Sequence, residues 1–217
     1  MNEQERNRRK KIAALTVVLP VLAGLAIVVI GHLLGHESSE VKEPDETTEA
    51  RVERQAAPAL AAAGTPAPRV RLTEAATGAG FDSTSLGGEG YAVVFASTKC
   101  GPIGEYLGRV ARKLGGSGGG AILVVSADPE VDTPEAVKAW YAEHHVPAGG
   151  PLHYLVGDEG ELRGLWNAFG FSGPSSGCPG SVPAHLVNGS SENTGVIDLQ
   201  PDGPVDALTD PLTGQSK

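Results

Sequence analysis

The hydrophobic and polar positions divide the chain into three parts. Residues 12–35 form an apolar run in which His32 is the only ionisable side chain. Residues 36–68 are rich in Glu, Ala, Thr and Pro and show no sustained apolar period. From residue 69 onward, short apolar runs alternate with segments of helical apolar spacing. These patterns predict a transmembrane helix, a disordered linker and one folded domain over residues 69–217.

The apolar run is long enough to cross a bilayer. At about 1.5 Å of rise per residue, its 24 residues would span roughly 36 Å, against a hydrocarbon core of about 30 Å. Five basic residues lie within residues 1–11, and acidic residues follow the run. We therefore expect residues 1–11 in the cytoplasm and the folded domain outside the cell membrane. Because no clear small-residue cleavage site follows the run, an uncleaved single-pass anchor is favoured over a signal peptide.

The folded part shows the alternation of strands and helices that is typical of an α/β sandwich. Strands are predicted at residues 70–72, near Phe81, and at 91–96, 121–126, 152–156, 186–187 and 196–199. Helices are predicted at residues 103–114, 134–145 and 158–169, the second of them capped by Asp132 or Thr133. Trp140 and Trp166 fall on apolar helix faces and are predicted core residues. The glycine-rich stretch 115–120 is expected to lie outside any element.

The charge of the predicted domain excludes some classes of partner. Residues 69–217 contain nine basic and seventeen acidic side chains. This negative balance argues against binding to nucleic acid and against docking on anionic lipid headgroups.

The most informative single residue is Cys100. It follows the predicted strand at 91–96, and Gly101 and Pro102 then open the next helix. A thiol at the positive end of a helix dipole is favoured as the thiolate, the form needed for metal binding or disulfide exchange. The second thiol of the usual redox or metal pair would stand two or four positions on, but position 104 is glycine. A buried cysteine that merely packs at the strand end is the alternative interpretation.

Two segments resemble the Sco/SenC family. Residues 125–134 read VSADPEVDTP, similar to the family's Val-Ser-x-Asp-Pro-x-x-Asp-Thr-Pro block. Residues 155–169 read LVGDEGELRGLWNAF, similar to its Leu-Thr-Gly-x-x-x-x-Leu-x-x-Leu-Trp-x-x-Phe segment, and residues 201–203 resemble its closing turn. The resemblance covers residues 69–207. It implies a thioredoxin fold, and a role in copper handling or thiol redox control during assembly of respiratory cytochrome oxidase.

The resemblance also implies a site and a kind of partner. The family holds copper with a Cys-x-x-x-Cys loop and one distant His, and its partners are an oxidase subunit or another copper or thiol protein. Cys100 matches the first cysteine, whereas Gly104 stands at the second. Alternative alignments place the family's histidine at Gly189, Glu192 or Asn193, so no histidine of this chain matches it.

Cys178 and His185 are the residues that could complete the site. With Cys100 they would form a two-Cys, one-His set suited to Cu(I). A Cys100–Cys178 disulfide is a second interpretation, because an even pair of cysteines in an oxidising compartment tends to bond, and two free thiols are a third. Three functions remain open: a Sco-like assembly factor, a thiol oxidoreductase using Cys100 and Cys178, and a non-catalytic binding module. The resemblance favours the assembly factor over a turnover enzyme.

Overall fold

The structure is a computed structural model that describes residues 63–173 and 178–214. The predicted cytoplasmic segment, the predicted anchor at residues 12–35 and the linker up to residue 62 lie outside the described residues. Within the described ranges, no helix combines the length and the apolar character needed to cross a membrane.

The described chain alternates strands with helices. Its strands are β1 (Arg71–Glu74), β2 (Gly80–Asp82), β3 (Tyr91–Ala96), β4 (Ala121–Ser126), β5 (Leu152–Val156), β6 (Val182–Val187) and β7 (Asn193–Leu199). Its α-helices are α1 (Gly101–Ser117), α2 (Pro134–Glu143), α3 (Glu159–Phe169) and α4 (Asp206–Gly214), and a short 3-10 helix covers Ser83–Leu86.

The strands form one mixed sheet in the order β2-β1-β5-β4-β3-β6-β7. The three central strands β5, β4 and β3 run parallel, and the outer pairs are antiparallel. β3 and β4 are buried along their whole length, which is why both read as continuous apolar runs rather than alternating ones. The predicted α/β sandwich is therefore confirmed.

Two apolar cores cover the two faces of the sheet. One core contains residues of α1, α2 and α4, including Trp140, and the other contains the apolar residues of α3, including Trp166. Trp140 is 2% exposed and Trp166 is 5% exposed, so both predicted core positions are confirmed. Alternate residues of each central strand point into opposite cores, and Val93 and Val94 illustrate this alternation.

Several element boundaries differ from the prediction, and one helix was not predicted. Helix α1 continues through Gly115 and Gly116 and ends at Ser117, before the cap residue Gly118 with its left-handed φ of 69°. Helix α2 ends at Glu143, before a residue with positive φ, His145. Helix α4 was not predicted, because it is short and contains an internal proline.

The packed domain also begins earlier than predicted. The amide of Gly64 donates to the carbonyl of Asn193 at 2.7 Å, and Asn193 donates back to Thr65 at 2.8 Å. Pro66 forms an isolated antiparallel bridge with Glu192. The last residues of the predicted linker thus add backbone pairing beside the β6–β7 hairpin, which moves the start of the packed domain from Arg69 to Gly64.

Candidate functional site

A disulfide joins Cys100 to Cys178. The two Cα atoms lie 5.3 Å apart, although 78 positions separate the residues in the sequence. This separation lies within the range that an S–S bridge spans without backbone movement. Of the three sequence-based interpretations, the structure therefore shows the disulfide, and it contains no free cysteine among the described residues.

Cys100 lies where a strand gives way to a helix. Its amide donates to the carbonyl of Ser97 at 2.9 Å, and its own carbonyl accepts from the amide of Gly104 at 3.1 Å. Cys100 is the N-cap residue of α1, with Pro102 in the first turn, and its side chain makes no capping hydrogen bond. The sulfur is therefore held at the positive end of a 17-residue helix, as the sequence predicts.

The two sulfurs of the bridge have different surroundings. Cys100 belongs to the core on the α1 face and is only 8% exposed. Cys178 follows α3 in the connection to β6 and is exposed, as are the two residues after it, Pro179 and Gly180. The Cys178 sulfur has a long contact of 3.6 Å with the carbonyl oxygen of Lys99. The bridge thus has one buried end and one end that solvent reaches.

An open pocket of about 300 Å³ lies beside the bridge, and both cysteines line it. Its walls are mainly apolar, and the charged pair Lys99 and Asp128 is part of its lining. The Lys99 Nζ and Asp128 Oδ2 atoms lie 3.2 Å apart. The apolar lining residues are Phe95, Ala96, Ile103, Ala127, Phe171, Pro179 and Val182. The pocket leaves room for part of another molecule next to the sulfurs.

A buried carboxylate fixes the loop that carries Cys100. Asp132 is 2% exposed, and its Oδ1 atom accepts hydrogen bonds from the amide of Thr98 at 2.8 Å, the hydroxyl of Thr98 at 2.8 Å and the hydroxyl of Ser97 at 3.2 Å. Its Oδ2 atom accepts from the hydroxyl of Ser126 at 2.7 Å. Asp132 therefore ties the end of β3 to the end of β4.

This role was not predicted. The sequence left Asp132 and Thr133 as alternative caps of α2, and the structure assigns the cap to Thr133, whose hydroxyl accepts from the amide of Ala136. The one local indication in the sequence is that Thr133 can cap α2 by itself, which leaves the Asp132 side chain available for other hydrogen bonds. The hydroxyl groups of Ser97, Thr98 and Ser126, each at or just after the end of a predicted strand, provide its partners.

The buried side chain of Tyr154 also holds the end of β3. Its hydroxyl donates to the carbonyl of Ala96 at 3.0 Å, at the end of β3. Burial, together with the nearby carboxylate of Asp132, raises the pKa of Tyr154 well above its ordinary value. The phenol therefore stays protonated and keeps its donor, so that the backbone just before the Cys100 loop is held from two sides.

The position one helical turn after Cys100 is closed. A Cβ atom at Gly104 would lie 2.5 Å from Nε2 of His144 and 2.7 Å from Nε1 of Trp140, closer than real Cβ contacts allow. Both nitrogens are buried and find no hydrogen-bond partner within the described part of the chain. Burial lowers the pKa of His144. The C-terminal end of α2 thus fills the space in which a side chain at residue 104 would stand.

His185 does not join the two cysteines. It pairs with Val93 across β6 and β3, and directly paired residues share a face of the sheet. Its ring packs against Phe169 and Phe95, with centroids 5.1 Å and 6.2 Å away, in the core opposite to that of Cys100. Burial lowers the pKa of His185. The predicted ligand set is corrected on this point, because the alternation along β6 turns the imidazole away from the sulfurs.

The described residues therefore do not fit a three-ligand copper site. In residues 63–173 and 178–214, no group of three or more His, Cys, Asp or Glu side chains is placed to hold a metal ion. The sulfurs of Cys100 and Cys178 are soft ligands suited to Cu(I) only after the disulfide is reduced.

The fold and the disulfide define a class of protein. A mixed sheet with a parallel centre, flanked by helices and carrying a cysteine at the start of the helix after a central strand, is a thioredoxin-like arrangement. No family model and no curated protein sequence matches the chain. Solved structures, in contrast, match most of its length.

The similar structures are Sco proteins and other thioredoxin-like proteins. BsSco, described as a member of the Sco family of cytochrome c oxidase assembly proteins with a disulfide switch, shares 17% identity over 72% of this chain and 96% of its own, with a TM-score of 0.61. Yeast Sco1 with copper bound shares 18% over 67% and 87%, with a TM-score of 0.51. A thiol:disulfide interchange protein of the thioredoxin family from Chlorobium tepidum shares 22% over 72% and 99%, with a TM-score of 0.50. The resemblance predicted from the sequence motifs is therefore confirmed at the level of the fold.

The close approach at Gly104 can be tested by adding one methyl group. We expect Gly104→Ala to lower the free energy of unfolding by about 1 to 3 kcal/mol, because the buried rings of Trp140 and His144 must move. Gly116→Ala is the matched control in the same helix, since nothing lies within 4 Å of its added Cβ. This control should change stability little, or raise it by up to about 1 kcal/mol. Chemical denaturation measures both, and a Gly104→Ala variant as stable as the wild type would contradict the crowding.

Two substitutions distinguish the hydrogen bonds of Asp132 from the helix cap made by Thr133. We expect Asp132→Ala to cost about 2 to 3 kcal/mol and to speed reduction of the disulfide by a dithiol, because the Thr98 amide and Ser126 hydroxyl lose their acceptor. Thr133→Ala should cost about 1 kcal/mol through the lost cap and leave the reduction rate nearly unchanged. Equal reduction rates in the two variants would show that Asp132 does not hold the Cys100 loop.

Proposed function

We propose that the chain is a divergent Sco-type assembly factor whose working group is the Cys100–Cys178 pair. In this proposal, the pair exchanges its disulfide with the thiols of a copper or thiol protein during assembly of a respiratory cytochrome oxidase. The observation that carries the proposal is the disulfide itself, which lies at a helix N-terminus with one exposed end and an open pocket beside it. The likeness of the fold to BsSco and to a thiol:disulfide interchange protein supports it.

The surroundings of the bridge suit exchange better than a purely structural role. Exchange requires that a thiolate reach one sulfur and that the other sulfur leave as a thiolate. The exposure of Cys178 provides the access, and the N-cap position of Cys100 favours the charge on the departing sulfur. A non-catalytic binding module would need neither property. The chain would act once per encounter with its partner, as an assembly factor does, rather than as a turnover enzyme.

The proposal includes a location. Residues 12–35 would anchor the chain in the cell membrane, with residues 1–11 in the cytoplasm and the domain held outside by the linker. A location outside the cytoplasm is also where a disulfide between two cysteines persists. The mass of the protein extracted from membranes tests this, because a chain that starts after residue 36 would have lost its anchor.

Copper binding by the reduced pair is a second candidate function. The observation that favours it is the proximity of two soft sulfurs, together with the copper present in the similar structure of yeast Sco1. A partner could supply a further ligand, because His185 lies on the other face of the sheet. This candidate and disulfide exchange use the same two cysteines in different redox states.

Exchange predicts a reducible disulfide. We expect the Cys100–Cys178 bridge of the oxidised full chain to have a reduction potential above about −300 mV, the level below which disulfides serve structure only. Equilibration with mixtures of oxidised and reduced dithiothreitol, followed by alkylation and mass analysis, measures the potential. The Cys178→Ser variant is the control and should show no such equilibrium. A potential below that level would leave the non-catalytic module as the function of the domain.

Copper binding predicts a specific pattern among variants. The reduced full chain should bind Cu(I) through Cys100 and Cys178, so Cys178→Ser should lose most of the affinity. His185→Ala should bind Cu(I) as the wild type does, because its imidazole lies in the opposite core. Titration against a competing Cu(I) chelator measures all three proteins. Strong loss of affinity in His185→Ala would instead support the two-Cys, one-His set predicted from the sequence.

A further inference from the structure

We propose that the two sulfurs have fixed roles in exchange: an incoming thiolate attacks Cys178, and Cys100 is the leaving group. This inference rests on the proposed exchange function. The sequence draws attention to Cys100, at the helix start, as the reactive thiol. The proposal instead makes Cys178 the sulfur that is attacked.

Access decides which sulfur is attacked. The attacking thiolate must approach along the line of the S–S bond, from the side opposite the departing sulfur. Cys100 is 8% exposed and belongs to a buried apolar cluster that also contains Ile103 and Val182. Both cysteines line the open pocket, but Cys178 is exposed and is followed by exposed residues. The approach to Cys178 is therefore the more open of the two.

The position of Cys100 at the start of α1 makes its sulfur the better leaving group. A thiol with a lower pKa is the better leaving group in disulfide exchange. Cys100 is the N-cap of α1, and the N-cap side chain accepts from the amides at the second and third helical positions. The second position is Pro102, which has no N–H, so the amide of Ile103 is the donor that a Cys100 thiolate can use. Cys178 lies in no helix or strand and lacks this stabilisation.

Cys100 also has the more firmly held backbone of the two cysteines. The amide of Cys100 is bonded to the carbonyl of Ser97, and Asp132 holds the side chains and backbone of the same loop. Besides the bridge, the described residues give Cys178 a long contact of 3.6 Å between its sulfur and the carbonyl of Lys99. Cys100 therefore keeps its place when the bridge opens, and its thiolate stays directed at the position where Cys178 was bound.

The electrons and atoms balance in two steps. A thiolate of a partner dithiol forms a bond to the sulfur of Cys178, the Cys100–Cys178 bond breaks, and its electron pair goes to the sulfur of Cys100. The second thiolate of the partner then attacks the partner's own sulfur in this mixed disulfide, and Cys178 leaves as a thiolate. The partner dithiol loses two electrons and two protons and becomes a disulfide, while this chain gains them as two thiols.

The test traps the first intermediate on the unmodified chain. The oxidised full chain is mixed with reduced glutathione, the reaction is stopped in acid at short times, the freed thiol is alkylated, and peptides are mapped by mass. We expect glutathione on Cys178 and the alkyl group on Cys100, in about tenfold or greater excess over the reverse arrangement. Glutathione found mainly on Cys100, or equally on both residues, overturns the assignment and leaves the exchange function intact. A chain that takes up no glutathione at either residue overturns both proposals.

Two single-cysteine variants provide an independent readout. Cys178→Ser leaves Cys100 alone, and Cys100→Ser leaves Cys178 alone. The thiolate absorbance of Cys100 at the helix start should appear at a lower pH than that of Cys178. Far-ultraviolet circular dichroism checks that both variants are folded. The reverse order of the two titrations would contradict the assignment of Cys100 as the leaving group.

Discussion

The parallel pairing of β3 with β4 is the constraint on which the site depends. The two strands pair in register from Tyr91 with Ala121 to Ala96 with Ser126, so both end at the same edge of the sheet. The loop that carries Cys100 therefore lies against the loop that carries Asp132. The buried carboxylate then binds both strand ends through Thr98 and Ser126. A cysteine at the start of a helix is common to thioredoxin-like proteins, and here the hydrogen bonds of Asp132 and Tyr154 hold the backbone that leads to it.

A second constraint determines the partner of Cys100. The end of α2 packs so closely on α1 that Gly104 has no room for a side chain, and Trp140 and His144 fill the space. The bridge instead reaches Cys178, which comes from the connection between α3 and β6. The exposed sulfur thus belongs to a segment outside the helices and strands, and the buried sulfur to the fixed helix start. This division underlies the roles that we propose for the two residues.

Much of this arrangement could be predicted from the sequence, for physical reasons. The central strands have continuous apolar runs, and the motifs around Asp132 and Trp166 carry the family resemblance. Cys178 is the only other cysteine of the sequence, so it could be named as the candidate partner of Cys100, but the sequence left a disulfide, a Cu(I) set and two free thiols open. The place of His185 could not be fixed, because it depends on which face of β6 meets which core. The crowding at Gly104 was hidden for a similar reason: the residues that fill its space come from another helix, distant in the sequence.

The central claim of this account is that Cys100 and Cys178 are linked in the folded protein. Peptide mapping of the full chain tests it most directly, when free thiols are alkylated before the cells are opened and the digest is kept unreduced. The account predicts a peptide containing Cys100 joined to a peptide containing Cys178, and separate peptides after reduction. Recovery of both cysteines in alkylated form, from a chain exposed to an oxidising compartment, would contradict it.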